Sequence, residues 1–408
     1  MPGKPLYYTF GNHMHWVDMQ WLWGYDVLPG CVADMRTLVD ETGARGCVNF
    51  DAVGYEKMAG ECPEALAELR AMIEAGHVEP VGCSYGQPYG LFQPGESNIR
   101  QFNYGVRAAR RLLGVRPQTF WEEEFYFFPQ LPQVLRRCGY KGASLFFQWT
   151  WHTPELPGEQ ASLILWEGID GSRLPALPRN TLNVHQWPED FDGLLEQGLI
   201  NELDHPAIVQ WLELMPSRDW MCRSEVLLPR LKALMGDERF DVRPRTCAQL
   251  IAELLEAHKT AQASSDLQTQ ASSPPSLASN LPVRQYTPDQ VWHGMTLGKN
   301  ADRHPRASRR VERRILAAES ISALAGLFGR PYPSWDVYPT WELDEAWREL
   351  LAAQHHDNHE CEGLCGFVGY QQMQRAEAGA REVFCRTLKT LELRAGTRLH
   401  SNTLGWTR

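Results

Sequence analysis

Leu6-Tyr7-Tyr8-Thr9-Phe10-Gly11-Asn12-His13-Met14-His15-Trp16-Val17-Asp18-Met19-Gln20-Trp21-Leu22-Trp23 carries a β-prone run straight into a cluster of metal-ligating residue types. Residues 6–10 read as a strand, because aromatic and β-branched side chains suit a pleated, half-buried surface. In extended chain alternate residues share a face, so His13 and His15 point the same way and Asp18 can turn back toward them. Two imidazoles and a carboxylate at a strand end could ligate zinc or a similar divalent ion. The same residues would also serve as hydrogen-bonded histidines under a Trp lid.

Outward from that strand, short β-rich runs alternate with amphipathic helical runs from residue 5 to about 258. The strand candidates are 6–10, 47–50, 78–83, 119–123, 143–147, 163–166 and 208–214, with helices at 63–75, 99–113, 131–138 and 225–235 between them. Alternation of this kind makes a parallel sheet wrapped by helices, and seven strand-helix units imply a barrel whose working face lies at the carboxyl ends of its strands. The expected fold is therefore α/β, a seven-stranded β/α barrel over 1–258. A polar, aromatic-poor stretch follows, read as a linker or loop over 259–300. Three helical patterns then fill 301–408, at 306–328, 343–356 and 371–394. Each has an apolar face, as in Ile315, Ala318, Ile321 and Leu324, so a three-helix bundle is expected.

Composition narrows the function classes. The 408 residues are 43% apolar and 22% charged, with 40 Lys+Arg against 50 Asp+Glu for a net charge of −10. With no dense basic run, nucleic acid is not expected as a partner. No window approaches the length of a membrane span and no secretory leader opens the chain, so no membrane association is expected. Ten scattered cysteines lack the spacing of a disulfide framework, and a cytoplasmic setting fits. Fifteen Trp are more unusual; many stand beside His, Asp or Glu, which suits a pocket that stacks sugar faces, although a Trp-rich core would use them equally well.

Three further clusters carry chemistry. Phe120-Trp121-Glu122-Glu123-Glu124-Phe125 puts three consecutive carboxylates on an apolar strand, costly unless one meets a cation or a solvent-filled cleft. Asp219 stands before Trp220 where a strand runs into a turn, and a neighbouring indole can raise a carboxyl pKa as a general acid requires. Gln354-His355-His356-Asp357-Asn358-His359 closes a helical pattern, where His355 and His359, four apart, could form a metal pair. A solvated histidine-rich helix end is the bland alternative.

Taken in order, His15-Trp-Val-Asp18-Met-Gln-Trp21-Leu-Trp23, Trp121 to Glu124 followed by Pro129-Gln-Leu-Pro-Gln-Val-Leu, Leu165-Trp166-Glu-Gly-Ile-Asp170-Gly-Ser and Leu-Leu-Ala-Ala-Gln-His355-His356-Asp357 resemble family 38 glycoside hydrolases, the zinc-dependent α-mannosidases. The resemblance implies a short form without the β-rich domains of the larger members, acting on a carbohydrate by a retaining mechanism. It implies Zn2+ or another divalent metal held by His15, Asp18, Glu124 and His356, with His13 the rival to His15. It implies Glu124 as nucleophile, where the family has Asp, and Asp219 as acid/base. Trp21, Trp23, Trp220 and Asp357 are expected against the substrate, and a homo-oligomer is open. A carbohydrate deacetylase using a metal, and a non-catalytic carbohydrate-binding protein of the same fold, are the alternatives; the pairing of Glu124 with Asp219 speaks against the first.

Overall fold

The computed structural model describes residues 4–14, 27–121, 127–145, 157–159, 161–178, 207–211, 224–269, 281–290, 300, 302–328, 338–360 and 364–400. The chain divides into two units, Met1–Leu91 with Phe102–Met295, and Phe92–Gln101 with Thr296–Arg408.

The first unit opens with β1 (Lys4–Met14), α1 (Val27–Thr42), β2 (Gly46–Phe50), α2 (Ala52–Glu61), α3 (Pro63–Glu74) and β3 (Val78–Pro80). It continues through α4 (Gly95–Leu112), whose first turns belong to the second unit, then β4 (Thr119–Phe120), α5 (Leu131–Cys138), β5 (Gly142–Ser144), β6 (Ile164–Glu167) and β7 (Arg173–Leu177). β8 (Ala207–Trp211), α6 (Ser224–Met235), β9 (Phe240–Pro244), α7 (Cys247–Thr269) and β10 (Val283–Arg284) complete it. This is a mixed α/β unit of largely parallel sheet.

β1 is the central strand. It runs parallel to β2, β8 and β9, with Phe10 opposite Gly46, Leu6 opposite Ala207 and Lys4 opposite Phe240. β3 extends the same sheet beyond β2. Gly46 permits the close pairing: a Cβ there would stand 2.4 Å from the Phe10 ring and carbonyl. A second sheet runs β10-β6-β7-β5-β4, and the Gly82 amide donates to the Thr119 carbonyl at 3.0 Å, linking the segment after β3 to β4.

Some elements differ from expectation for visible reasons. The strand expected over 78–83 ends at Pro80, because Gly82 (φ 60°) and Cys83 (φ 60°) take left-handed backbone that no strand accommodates. The Leu165-to-Ser172 motif is an antiparallel hairpin between β6 and β7 rather than the end of a strand-helix unit. Its turn is built by Asp170, which accepts from Ser172 N (3.1 Å) and Oγ (2.7 Å), and by Gly171 at φ 80°. α7 reaches Thr269, into the stretch expected as linker, since its Ala- and Gln-rich text is polar yet favourable to helix.

The core is aromatic. Trp166 lies between Phe120 and Phe127, with ring centroids at 6.1 and 6.2 Å, and Trp121, 2% exposed, packs with Leu163, Leu165 and Leu250. For these two indoles the core reading holds.

The second unit contains α8 (Arg303–Phe328), α9 (Thr340–Ala353), the short α10 (Asp357–Glu360) and α11 (Leu364–Ala395). α8, α9 and α11 pack on one another. Their apolar residues recur at helical spacing: Val311, Ile315 and Ala318 on α8, Leu343, Trp347, Leu350 and Leu351 on α9, Met373, Ala376 and Ala380 on α11, all buried. α9 ends at Ala353, three residues before the stop expected from the sequence.

Candidate active site

In the first unit, parallel pairing brings the carboxyl ends of β1, β2 and β3 to one edge. His13 lies there, opposite Asn49 in register. Asn12, Asn49, Asp51, Ser84 and Gln87 at or after these strand ends are all buried. Asp51 caps α2 by accepting from Gly54 N at 3.0 Å. Gln87 donates from Nε2 to Asn49 Oδ1 (3.1 Å), and its own amide donates to Ser84 Oγ (3.1 Å). Cys83 and Gln87 (φ 44°) are the non-glycine residues of left-handed backbone among those described. Strain at a strand's carboxyl end marks a loop whose shape is over-determined by its contacts. Ser84-Tyr85-Gly86-Gln87-Pro88-Tyr89-Gly90 was not singled out from sequence; its Gly and Pro punctuation was the available signal, but a turn was all it specified.

His15, Asp18, Trp21, Trp23, Glu124, Asp219 and Trp220 lie outside the described residues, as does the side chain of His13.

In the second unit the structure brings His356 and Asp357 together with His355. His355 and His356 are buried, with stacked rings 4.1 Å apart. The expected His355–His359 pair is left untested, because the side chain of His359 lies outside the described residues. His356 Nε2 is 3.7 Å from Asp357 Oδ1, and His355 Nδ1 is 3.8 Å from Asp357 Oδ2. All three can direct one ligand atom within 4.8 Å of the others. Zinc bonds of about 2.0–2.2 Å put two ligands of one ion no more than about 4 Å apart, so the His356–Asp357 separation suits a shared cation. The Asp357 amide donates to His355 Nδ1 at 3.1 Å; an accepting Nδ1 places the proton of the neutral ring on Nε2. His356 is therefore the imidazole better placed to offer a lone pair.

The turn is held from both ends. Gln354, fully buried, donates from Nε2 to Ser97 Oγ and Ser308 Oγ, both at 2.8 Å, and accepts from Gln101 Nε2 at 3.1 Å. Gln101 also donates to the Leu351 carbonyl (2.9 Å), and Asn358 Nδ2 to that of Ala353 (2.9 Å), so side chains satisfy carbonyls that the end of α9 leaves open. Asn358 fits because residue 369 of α11 is glycine, where a Cβ would stand 2.8 Å from its Cγ. Ser97 donates from N (2.9 Å) and Oγ (2.5 Å) to Glu312 Oε2. Burial pushes the Glu312 carboxyl up, against the two Ser97 bonds. His304, packed against Tyr370 at 5.8 Å, is pushed down to about 3, chiefly by burial.

Among the described residues, the first unit is thus a largely parallel sheet with buried polar groups at its strand ends, and the second holds a helix followed by a buried His-His-Asp turn. Residues 9–213 match the glycosyl hydrolases family 38 N-terminal domain, and the chain belongs to that family. It is 28% identical to alpha-mannosidase G of Dictyostelium discoideum over 166 residues, 40% of this chain and 15% of that protein. It is 22% identical to an alpha-mannosidase of Saccharomyces cerevisiae over 373 residues, 86% of this chain and 31% of that one. The chain thus spans less than a third of the length of these relatives. An alpha-mannosidase structure from Enterococcus faecalis V583 superposes with a TM-score of 0.67 at 15% identity, covering 96% of this chain and 43% of that one; it shows a shared fold.

Proposed function

We propose that this chain is a metal-dependent retaining glycoside hydrolase acting on an α-mannoside or a related glycoside. The observation that supports it most is His356, buried just after α9 with its Nε2 3.7 Å from Asp357 Oδ1, where the resemblance expects a metal ligand beside a substrate contact. The finer fold reading, a seven-stranded β/α barrel followed by a three-helix bundle, belongs to the same proposal; the parallel pairings among β8, β1, β2 and β3 and among β4, β5 and β7, and the packing of α8, α9 and α11, support it.

His15, Asp18, Glu124 and His356 would hold Zn2+ or another divalent ion, with His13 the rival to His15. When bound, the ion supplies charge that orients substrate hydroxyls and favours ring distortion. Glu124 attacks the anomeric carbon, its extra methylene relative to Asp lengthening its reach, and forms a glycosyl ester. Asp219, kept protonated by the indole of Trp220, delivers its proton to the departing oxygen; it then takes one from the water that cleaves the ester. Retention requires these two carboxyl groups to stand about 5–5.5 Å apart. Trp21, Trp23 and Trp220 pack on the sugar faces, and Asp357 accepts from a hydroxyl.

A panel of aryl glycosides assayed with and without added zinc tests the reading. Hydrolysis that needs the metal and disappears in Glu124→Gln and in Asp219→Asn, both folded, is the expected result. Protein purified without chelator that holds no divalent ion, and whose melting temperature ignores added zinc, removes the metal from the proposal.

A further inference from the structure

α8 opens with Arg303-His304-Pro305-Arg306-Ala307-Ser308-Arg309-Arg310-Val311-Glu312-Arg313-Arg314. Ala307, Ser308, Val311 and Glu312 are buried, whereas Arg306, Arg309, Arg310, Arg313 and Arg314 are exposed. The linear text interleaves these arginines with apolar residues, so it shows no basic block; winding at 3.6 residues per turn gathers all five on the outer face. Glu312, the acidic residue of the run, faces inward to Ser97 and neutralises none of them.

The arginines stand three and four apart, spacings at which like charges weaken a helix. Glu377 of α11 offsets part of this: its carboxylate lies between Arg314 (2.7 Å) and Arg310 (3.4 Å). Arg309 and Arg313 repeat that four-residue spacing one position round the helix, and they, like Arg306, make no ion pair among the described residues. The five line a surface depression of about 390 Å³ floored by Ala317. At Arg314 it adjoins a second depression of about 530 Å³, lined on α11 by Gln374, Glu377, Arg381 and Glu382.

We propose that this arginine face is a secondary binding surface for an acidic oligosaccharide, one carrying uronate carboxylates along its chain. Guanidinium forks pair two-to-two with carboxylate oxygens, and Glu377 shows a carboxylate already seated between two of them. An open depression lined by five arginines suits a ligand laid along the surface rather than an enclosed one. The helix rises only about 12 Å from Arg306 to Arg314, a span for a few linked carboxylates and too short for a duplex footprint. The net charge of −10 also opposes a long polyanion. The choice of a carbohydrate over another carboxylate-bearing chain rests on the glycoside-hydrolase reading.

The test is equilibrium binding of a short oligogalacturonate to the full chain, beside a neutral manno-oligosaccharide and an oligoglutamate peptide of similar length. Oligogalacturonate should bind, weaken as salt rises, and lose about tenfold or more in affinity in Arg309→Gln/Arg313→Gln, a change that relieves repulsion within α8 and keeps the fold. The neutral sugar should show no dependence on these arginines. Absence of oligogalacturonate binding, or equal affinity in the double variant, overturns the proposal; so does tighter binding of oligoglutamate, which reassigns the face to an acidic protein partner. The aryl glycoside assay is read separately. Lost hydrolysis with intact binding removes the catalytic reading alone, and the reverse removes this surface alone.

Discussion

The loop after β3 and the turn after α9 both bury polar side chains where a regular element ends, and they are stabilised in opposite ways. Near β3 the backbone is strained, with Cys83 and Gln87 left-handed and a side-chain bond from Gln87 to Asn49 holding the shape. After α9 the non-glycine residues described keep ordinary backbone, and the conformation is set by a connected set of side chains, with Gln354 bonded to three partners. A strained loop stores its cost in a few dihedrals and can be relieved locally. A saturated network loses several bonds when one member goes.

The largest separation between the two regions is expected with pH. His304 beneath the α9 turn has its folded pKa lowered from 6.5 to about 3. The unfolded chain therefore binds the extra proton first, and stability of the second unit falls as pH drops from about 6.5 toward 3, by up to about 5 kcal/mol at the lower end. Above pH 6.5 this contribution is fully present. Amide exchange of the two units, compared at neutral pH and near pH 4, should show the second unit opening more, and His304→Phe should remove most of that difference. Equal pH slopes in wild type and variant would mean that the ring is solvated.

Next comes the network itself. Gln354→Ala removes a partner from each of Gln101, Ser97 and Ser308, which are all buried. The expected loss is about 3 kcal/mol in denaturant unfolding. Glu312→Gln keeps an acceptor for Ser97 while removing a buried charge, so it should cost under about 1 kcal/mol. If Glu312→Gln proves the more damaging of the two, charge rather than hydrogen-bond count governs the region.

The same contrast explains what the sequence revealed. Parallel strands and the long helices were legible because their apolar residues recur with periods of 2 and 3.6, and the Gln-His-His-Asp run stood out as a cluster of ligand types. The early end of α9 was not, since it depends on Gln101 and Asn358 reaching its last carbonyls from elsewhere in the chain. Nor was the stacking of His355 on His356, which follows once the chain leaves α9 after Ala353. Gln87 escaped notice because its left-handed backbone is imposed by Asn49 and Ser84, 38 and 3 residues away. The antiparallel β6–β7 hairpin was missed for a related reason, as strand direction is set by pairing rather than by composition.

A difference of similarly small size is the sharpest test of strain in the β3 loop. Gln87→Ala loses the bond to Asn49 and still places a Cβ on left-handed backbone; Gln87→Gly loses the same bond but releases the steric cost. Both variants should be less stable than wild type, with glycine about 1 kcal/mol better than alanine in urea unfolding. No comparable order is expected at Gln354, whose alanine variant has no backbone strain to release. Should alanine prove as stable as glycine at position 87, the loop after β3 would owe its shape to packing alone, and the two regions would differ only in the number of their hydrogen bonds.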